Sequence, residues 1–142
     1  MSDGSKMARR LADISILVVD DDDDARELTE IVLRQVGATV RSASSATEAL
    51  ELIKAAVPAV VVTDIAMPQR DGTWLLREVR SLRGAPAIPF IAFTALALAH
   101  DRQSLLEAGF VDHIIKPADP DEVVQAIVRA TTSTKRIGVK EQ

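Results

Sequence analysis

The 142-residue sequence contains no cysteine. Disulfides, thiol nucleophiles and thiolate metal sites are thereby excluded. Long apolar runs are missing as well. The longest nearly uncharged stretch, residues 84–100, carries Pro86 and Pro89 and is too short to span a bilayer as a helix. Residues 1–16 lack the apolar stretch and small-residue cleavage site of a secretory leader, so a cytoplasmic location without membrane association is expected. Positive charge is in slight deficit, 17 Lys and Arg against 21 Asp and Glu for a net charge of −4. No basic patch stands out of the kind that binds nucleic acid. Repeats and low-complexity segments are absent, apart from one acidic run at residues 20–24. What remains is a chain of single-domain length with 47% hydrophobic residues, enough for a real core.

The ends are polar and show no periodic apolar face, so residues 1–12 and 132–142 read as flexible tails around a folded domain at 13–131. Inside it two patterns alternate. Residues 14–19, 59–63, 88–93 and 110–115 are β-branched or aromatic and nearly all apolar, as expected of strands buried on both faces. Residues 38–42 alternate and suit an outer strand. Between the strands, Ala25, Leu28, Val32 and Val36 recur at helical spacing until Gly37 stops them. Ser45 and Glu48 form a capping box ahead of Leu50 and Ile53. Leu75, Val79 and Leu82 make a third stripe, and Leu98, Leu105 and Leu106 a rougher fourth. Asp119, Pro120 and Glu122 open a fifth helix, packed by Val124, Ile127 and Val128. Five strands alternating with five helices imply an α/β fold, a doubly wound parallel sheet of flavodoxin-like order 2-1-3-4-5.

In such sheets ligands bind beyond the carboxyl ends of the strands. Four of those ends carry reactive groups: Asp20, Asp21 and Asp22 after the first, Asp64 after the third, Thr94 at the fourth, and Lys116 after the fifth. Several carboxylates on one rim repel unless a cation neutralises them. Oxygen ligands without His or Cys point to Mg²⁺, with Mn²⁺ able to substitute.

The segments at residues 17–21 (LVVDD), 62–72 (VTDIAMPQRDG), 93–95 (FTA) and 115–117 (IKP) resemble the successive motifs of the two-component response-regulator receiver family, over roughly residues 14–131. The spacing is similar too, with Thr94 thirty residues after Asp64 and Lys116 twenty-two after Thr94. The resemblance implies that Asp64 is the phosphoacceptor for a phosphohistidine on a histidine kinase or phosphotransfer protein. It implies that Asp20, Asp21, Asp64 and the backbone carbonyl of Ala66 hold the metal, while Lys116 and Thr94 contact the phosphoryl oxygens. Pro68, Asp71 and Gly72 would shape the loop behind Asp64. His113 falls where the family commonly carries a switch aromatic, so Thr94 and His113 would relay the change to a face made by the fourth helix, fifth strand and fifth helix. A downstream protein target, or a second copy of the chain, would bind there.

Simpler readings exist for some of these residues. Asp22, Asp23 and Asp24 suit an acidic first turn favoured by the helix dipole, and His100 a plain surface position. Trp74 lies beside the third stripe, as a partner contact or flat on the surface. Ala66 and Leu96, two positions after Asp64 and Thr94, offer no donor to orient water, so a slowly hydrolysed aspartyl phosphate is expected. Other functions fit less well. A haloacid-dehalogenase-like phosphohydrolase would use Asp20 and Asp22 but leave Asp64 idle and lacks a cap segment. A calcium loop from Asp20 would need Gly and Glu where Ala25 and Ile31 stand. An unphosphorylated pseudo-receiver acting purely as a binding module is the remaining alternative.

Overall fold

A computed structural model of the chain describes residues 9–84, 87–95 and 99–140, with the side chains of 99–101 and 133–140 left out. Five strands, β1 (Ser15–Val19), β2 (Thr39–Ala43), β3 (Val60–Thr63), β4 (Phe90–Thr94) and β5 (Asp112–Ile115), alternate with five helices. The helices are α1 (Asp23–Gln35), α2 (Ala46–Ala55), α3 (Gly72–Ser81), α4 (Ala99–Ala108) and α5 (Pro120–Lys140). All strand pairs are parallel, in the order β2-β1-β3-β4-β5. This is the doubly wound arrangement that the alternating pattern implies.

The nearly unbroken apolar strands follow from cover on both faces. Along β1, Leu17 and Val19 pack with Leu50 and Ile53 of α2, Leu75 and Val79 of α3 and Leu105 of α4. Ile16 and Val18 point the other way, onto Leu33 of α1 and Val124 and Ile127 of α5. On β5, Ile114 belongs to the α1/α5 side, so the two-residue period of a strand turns its neighbour His113 toward α2–α4.

Local signals mostly sit where the residues put them. Asp22 caps α1, its side chain accepting from the N–H groups of Asp24 and Ala25, and Gly37 takes φ 98° at the end of that helix, a conformation natural to glycine. Asp119 accepts from the N–H of Asp121 at the start of α5. The capping box before α2 is shifted by one residue on its return side. The Ser45 hydroxyl accepts from the Glu48 N–H, but the Glu48 carboxylate accepts from the N–H of Ser44.

Three features stand apart from the sequence pattern. Leu11, placed in the N-terminal tail, is fully buried against α1 and α5, and its N–H donates to Val36 at 2.8 Å. The last helix continues beyond residue 131 to Lys140. Leu28, at helical spacing with Ala25 and Val32, is 63% exposed. It borders an apolar groove of about 400 Å³ lined also by Val32, Phe93, Pro120 and Val123. Among the described residues no helix is long and apolar enough to cross a membrane.

Candidate functional site

The reactive residues hang on the last rungs of the sheet. The N–H of Asp20 donates to Ala43, that of Asp64 to Val19 at 2.8 Å, and that of Lys116 to Thr94 at 2.9 Å. Strand pairing therefore continues one residue past each strand and fixes where the side chains begin. Asp20, Asp21 and Asp64 each bring a carboxylate oxygen within 4.8 Å of the others. Asp20 is almost fully buried, Asp64 partly buried and Asp21 exposed.

Lys116 ties two of the three together. Its Nζ lies 2.6 Å from Asp20 Oδ2 and 3.3 Å from Asp64 Oδ2, and 5.1 Å from the centre of the Phe93 ring, within cation–π reach. The remaining oxygens are held by backbone. Asp20 Oδ1 accepts from the N–H of Asp22 at 2.9 Å, and Asp64 Oδ1 from the N–H of Ala66 at 3.2 Å. Burial raises the Asp64 pKa above the ordinary carboxylate value; Lys116 opposes this and the Asp20 charge adds to it. For Lys116, burial pulls the ammonium down, but the hydrogen bond and charge of Asp20, then those of Asp64, outweigh it and leave a net rise. Asp64 thus keeps an electron-rich oxygen beside a firmly charged cation.

The backbone behind Asp64 is tightly packed. The Thr63 hydroxyl donates to the Asp64 carbonyl at 2.8 Å, and Gly72 donates to Ile65. A Cβ added at Gly72 would stand 2.5 Å from that same Asp64 carbonyl oxygen, so only glycine fits. Asp71 caps α3 through the Trp74 N–H. Trp74 is partly buried against the α2–α4 core, with the Arg70 guanidinium 5.2 Å from its ring.

Thr94 is buried at the end of β4, on the same rim. His113 is 8% exposed, and among the described residues its Nε2 has no hydrogen-bond partner. It lies on β5, with β4 between it and the strand that carries Asp64, paired in register with Ala92, and is not part of the acid cluster. Leu96, Leu98 and the His100 side chain lie outside the described residues. Sequence reasoning missed Phe93 and Arg26; the latter donates from Nη1 to the Asp20 carbonyl at 2.9 Å. An arginine one turn beyond an acid run was the available signal.

The donor set suits a hard divalent cation, since all its side-chain ligands are carboxylate oxygens, one buried and two reachable. Comparison with known proteins agrees with the geometry. Residues 16–128 match the family model described as response regulator receiver domain. A 14.6 kDa protein from the sodA1 3' region of Leptolyngbya boryana is 44% identical over 82% of this chain and 89% of its own length. Response regulator Rre1 of Synechocystis is 38% identical over 82% of this chain and 50% of its own. The crystal structure of a CheY-like response regulator receiver domain protein from Methanospirillum hungatei superposes with a TM-score of 0.79 at 29% identity, covering 87% of this chain and 97% of that one. The chain spans about half or less of the longer curated relatives it matches.

Proposed function

The chain belongs to the response regulator receiver family of two-component signalling, and on that footing we propose that it is a phosphoacceptor switch modified on Asp64. The observation that carries this reading is the convergence of Asp64 with Asp20, Asp21 and Lys116 on one rim. An Asp64 carboxylate oxygen attacks the phosphorus of a phosphohistidine on a histidine kinase or phosphotransfer protein. The P–N bond breaks, and its electron pair leaves with the imidazole nitrogen. Partial burial leaves the Asp64 oxygen less shielded by water, and Lys116 steadies the negative charge on the transferring oxygens. Asp20, Asp21, Asp64 and the Ala66 carbonyl are the groups that would hold Mg²⁺, or Mn²⁺ in its place. When bound, the ion supplies charge neutralisation at the phosphoryl oxygens. The protein is in this reading a signalling module that assists its own modification and demodification, and not a turnover enzyme.

Thr94 then offers its hydroxyl to a phosphoryl oxygen, and His113 responds on β5 as the second part of the relay. The surface that changes is α4–β5–α5, where Leu106, Val111 and Ile115 are exposed apolar residues suited to a protein partner. A second copy of the chain is an alternative occupant. Residues 13–131, with Leu11 packed onto their core, act as the switch unit.

Intact mass after incubation with a small phosphodonor and Mg²⁺ tests the assignment. One added phosphate, absent in Asp64→Ala, supports it. No uptake points to the pseudo-receiver reading, and continuous donor hydrolysis without a stable adduct points to a phosphohydrolase.

A further inference from the structure

Asp20 is held at every polar atom. Its N–H donates to Ala43 at 3.1 Å, and its carboxylate oxygens accept from the Asp22 N–H and Lys116 Nζ. Its carbonyl oxygen accepts from Arg26 Nη1 at 2.9 Å. Asp21 is the opposite case. It is exposed, and among the described residues its carboxylate makes no hydrogen bond, so its direction is set by backbone alone. The peptide that joins the two residues is planar. A group that fixes the Asp20 carbonyl therefore also fixes the plane from which Asp21 departs.

Arg26 is built to do this. Its side chain is 19% exposed, and Nη2 is anchored 2.8 Å from Asp23 Oδ1. Its own N–H closes the first turn of α1 onto the Asp22 carbonyl. The guanidinium reaches back over the turn and clamps the loop between β1 and α1, with its planar fork shared between one carbonyl and one carboxylate.

Resting on the reading of the acid cluster as a divalent-cation site, we propose that Arg26 is its positioning residue, holding the Asp20–Asp21 peptide so that the Asp21 carboxylate faces Asp64. The charge and the geometry of Arg26 act in opposite directions, which makes the proposal decidable. If the guanidinium mattered only as a nearby positive charge, removing it would tighten cation binding. If it positions Asp21, removing it weakens binding.

The test is Mg²⁺ titration of the full chain by calorimetry at pH 7.5, for wild type, Arg26→Met and Arg26→Lys. The expected result is a five- to tenfold weaker Kd for Arg26→Met, and a Kd within about twofold of wild type for Arg26→Lys, which can still donate to the carbonyl. With a small phosphodonor, Arg26→Met raises the half-saturating Mg²⁺ concentration while the rate at saturation stays near wild type. An unchanged or tighter Kd in Arg26→Met overturns the proposal, as does failure of Arg26→Lys to rescue. Arg26→Gln, whose shorter side chain cannot span to the carbonyl, serves in place of Arg26→Met if that variant does not fold. A wild-type chain that takes up no Mg²⁺ overturns the cation-site reading itself. Wild-type uptake with indifference to Arg26 overturns only the positioning role.

Discussion

Replacing Asp64 by Asn is expected to make the protein more stable while abolishing its proposed modification. In the absence of divalent cations Asp64 sits within 4.8 Å of two other carboxylates and 3.3 Å from Lys116. At an effective dielectric near 20, repulsion from each of the two neighbouring carboxylates amounts to roughly 3–4 kcal/mol and attraction to Lys116 to about 5 kcal/mol. Solvent and salt screen the exposed Asp21, so repulsion from the buried Asp20 and attraction to Lys116 nearly cancel. Burial decides the sign, and the pKa of Asp64 is raised overall, so the folded state disfavours its charge. Asn, of the same shape, carries no such penalty, and a gain of about 1 kcal/mol follows, or some 2–4 °C in Tm. The pH dependence has a definite direction. Because the folded-state pKa is raised, ionised Asp64 costs stability above that pKa, and the cost vanishes once pH falls below the ordinary value of 3.8. The advantage of Asp64→Asn should therefore be full near pH 7.5 and fade toward pH 4. Urea unfolding of both proteins in chelator at several pH values measures it. A variant no more stable than wild type at pH 7.5, or one whose advantage does not fade in acid, refutes the reasoning.

Lys116→Met leaves the buried Asp20 without its cation and should cost about 2–3 kcal/mol, part of which added Mg²⁺ restores; thermal unfolding with and without Mg²⁺ reads both. Gly72→Ala forces backbone apart at the Asp64 carbonyl and should destabilise by about 2–3 kcal/mol, with slower phosphorylation among the molecules that fold. His113→Leu removes the buried unpaired Nε2 and should raise stability by about 1 kcal/mol in the same assay. Once formed, the phosphoryl adduct on Asp64 should persist for minutes or longer, because Ala66 offers no side-chain donor to an attacking water; loss of label within seconds would reject this.

The parallel sheet and the rim were legible because each rests on a strong local signal. Runs such as Val60 to Val62 are apolar at every position, which only a strand covered on both faces requires. Asp20, Asp64, Thr94 and Lys116 each close such a run, so parallel order alone gathers them. Less legible were features set by tertiary contact. Leu28 has helical spacing identical to that of a core residue, but the groove beside α5 leaves it open. Leu11 is a lone apolar residue in a polar stretch and has no periodicity to announce its burial. The inward placement of His113 comes from strand alternation, but its missing hydrogen-bond partner depends on everything packed around it. Arg26 and Phe93 meet the site through a carbonyl and a ring face; the acid run before Arg26 hinted at the first, and nothing in residue types announced the second.

The contact between Gly72 and Asp64 has a mechanical consequence. With no clearance between the start of α3 and the carbonyl at the end of β3, the two move as one piece. Any shift of the Asp64 backbone must be passed to the first turn of α3, where Asp71 caps the helix and Trp74 lies against Arg70. The lone tryptophan is thereby a built-in gauge of events at Asp64, read by its fluorescence without any added label.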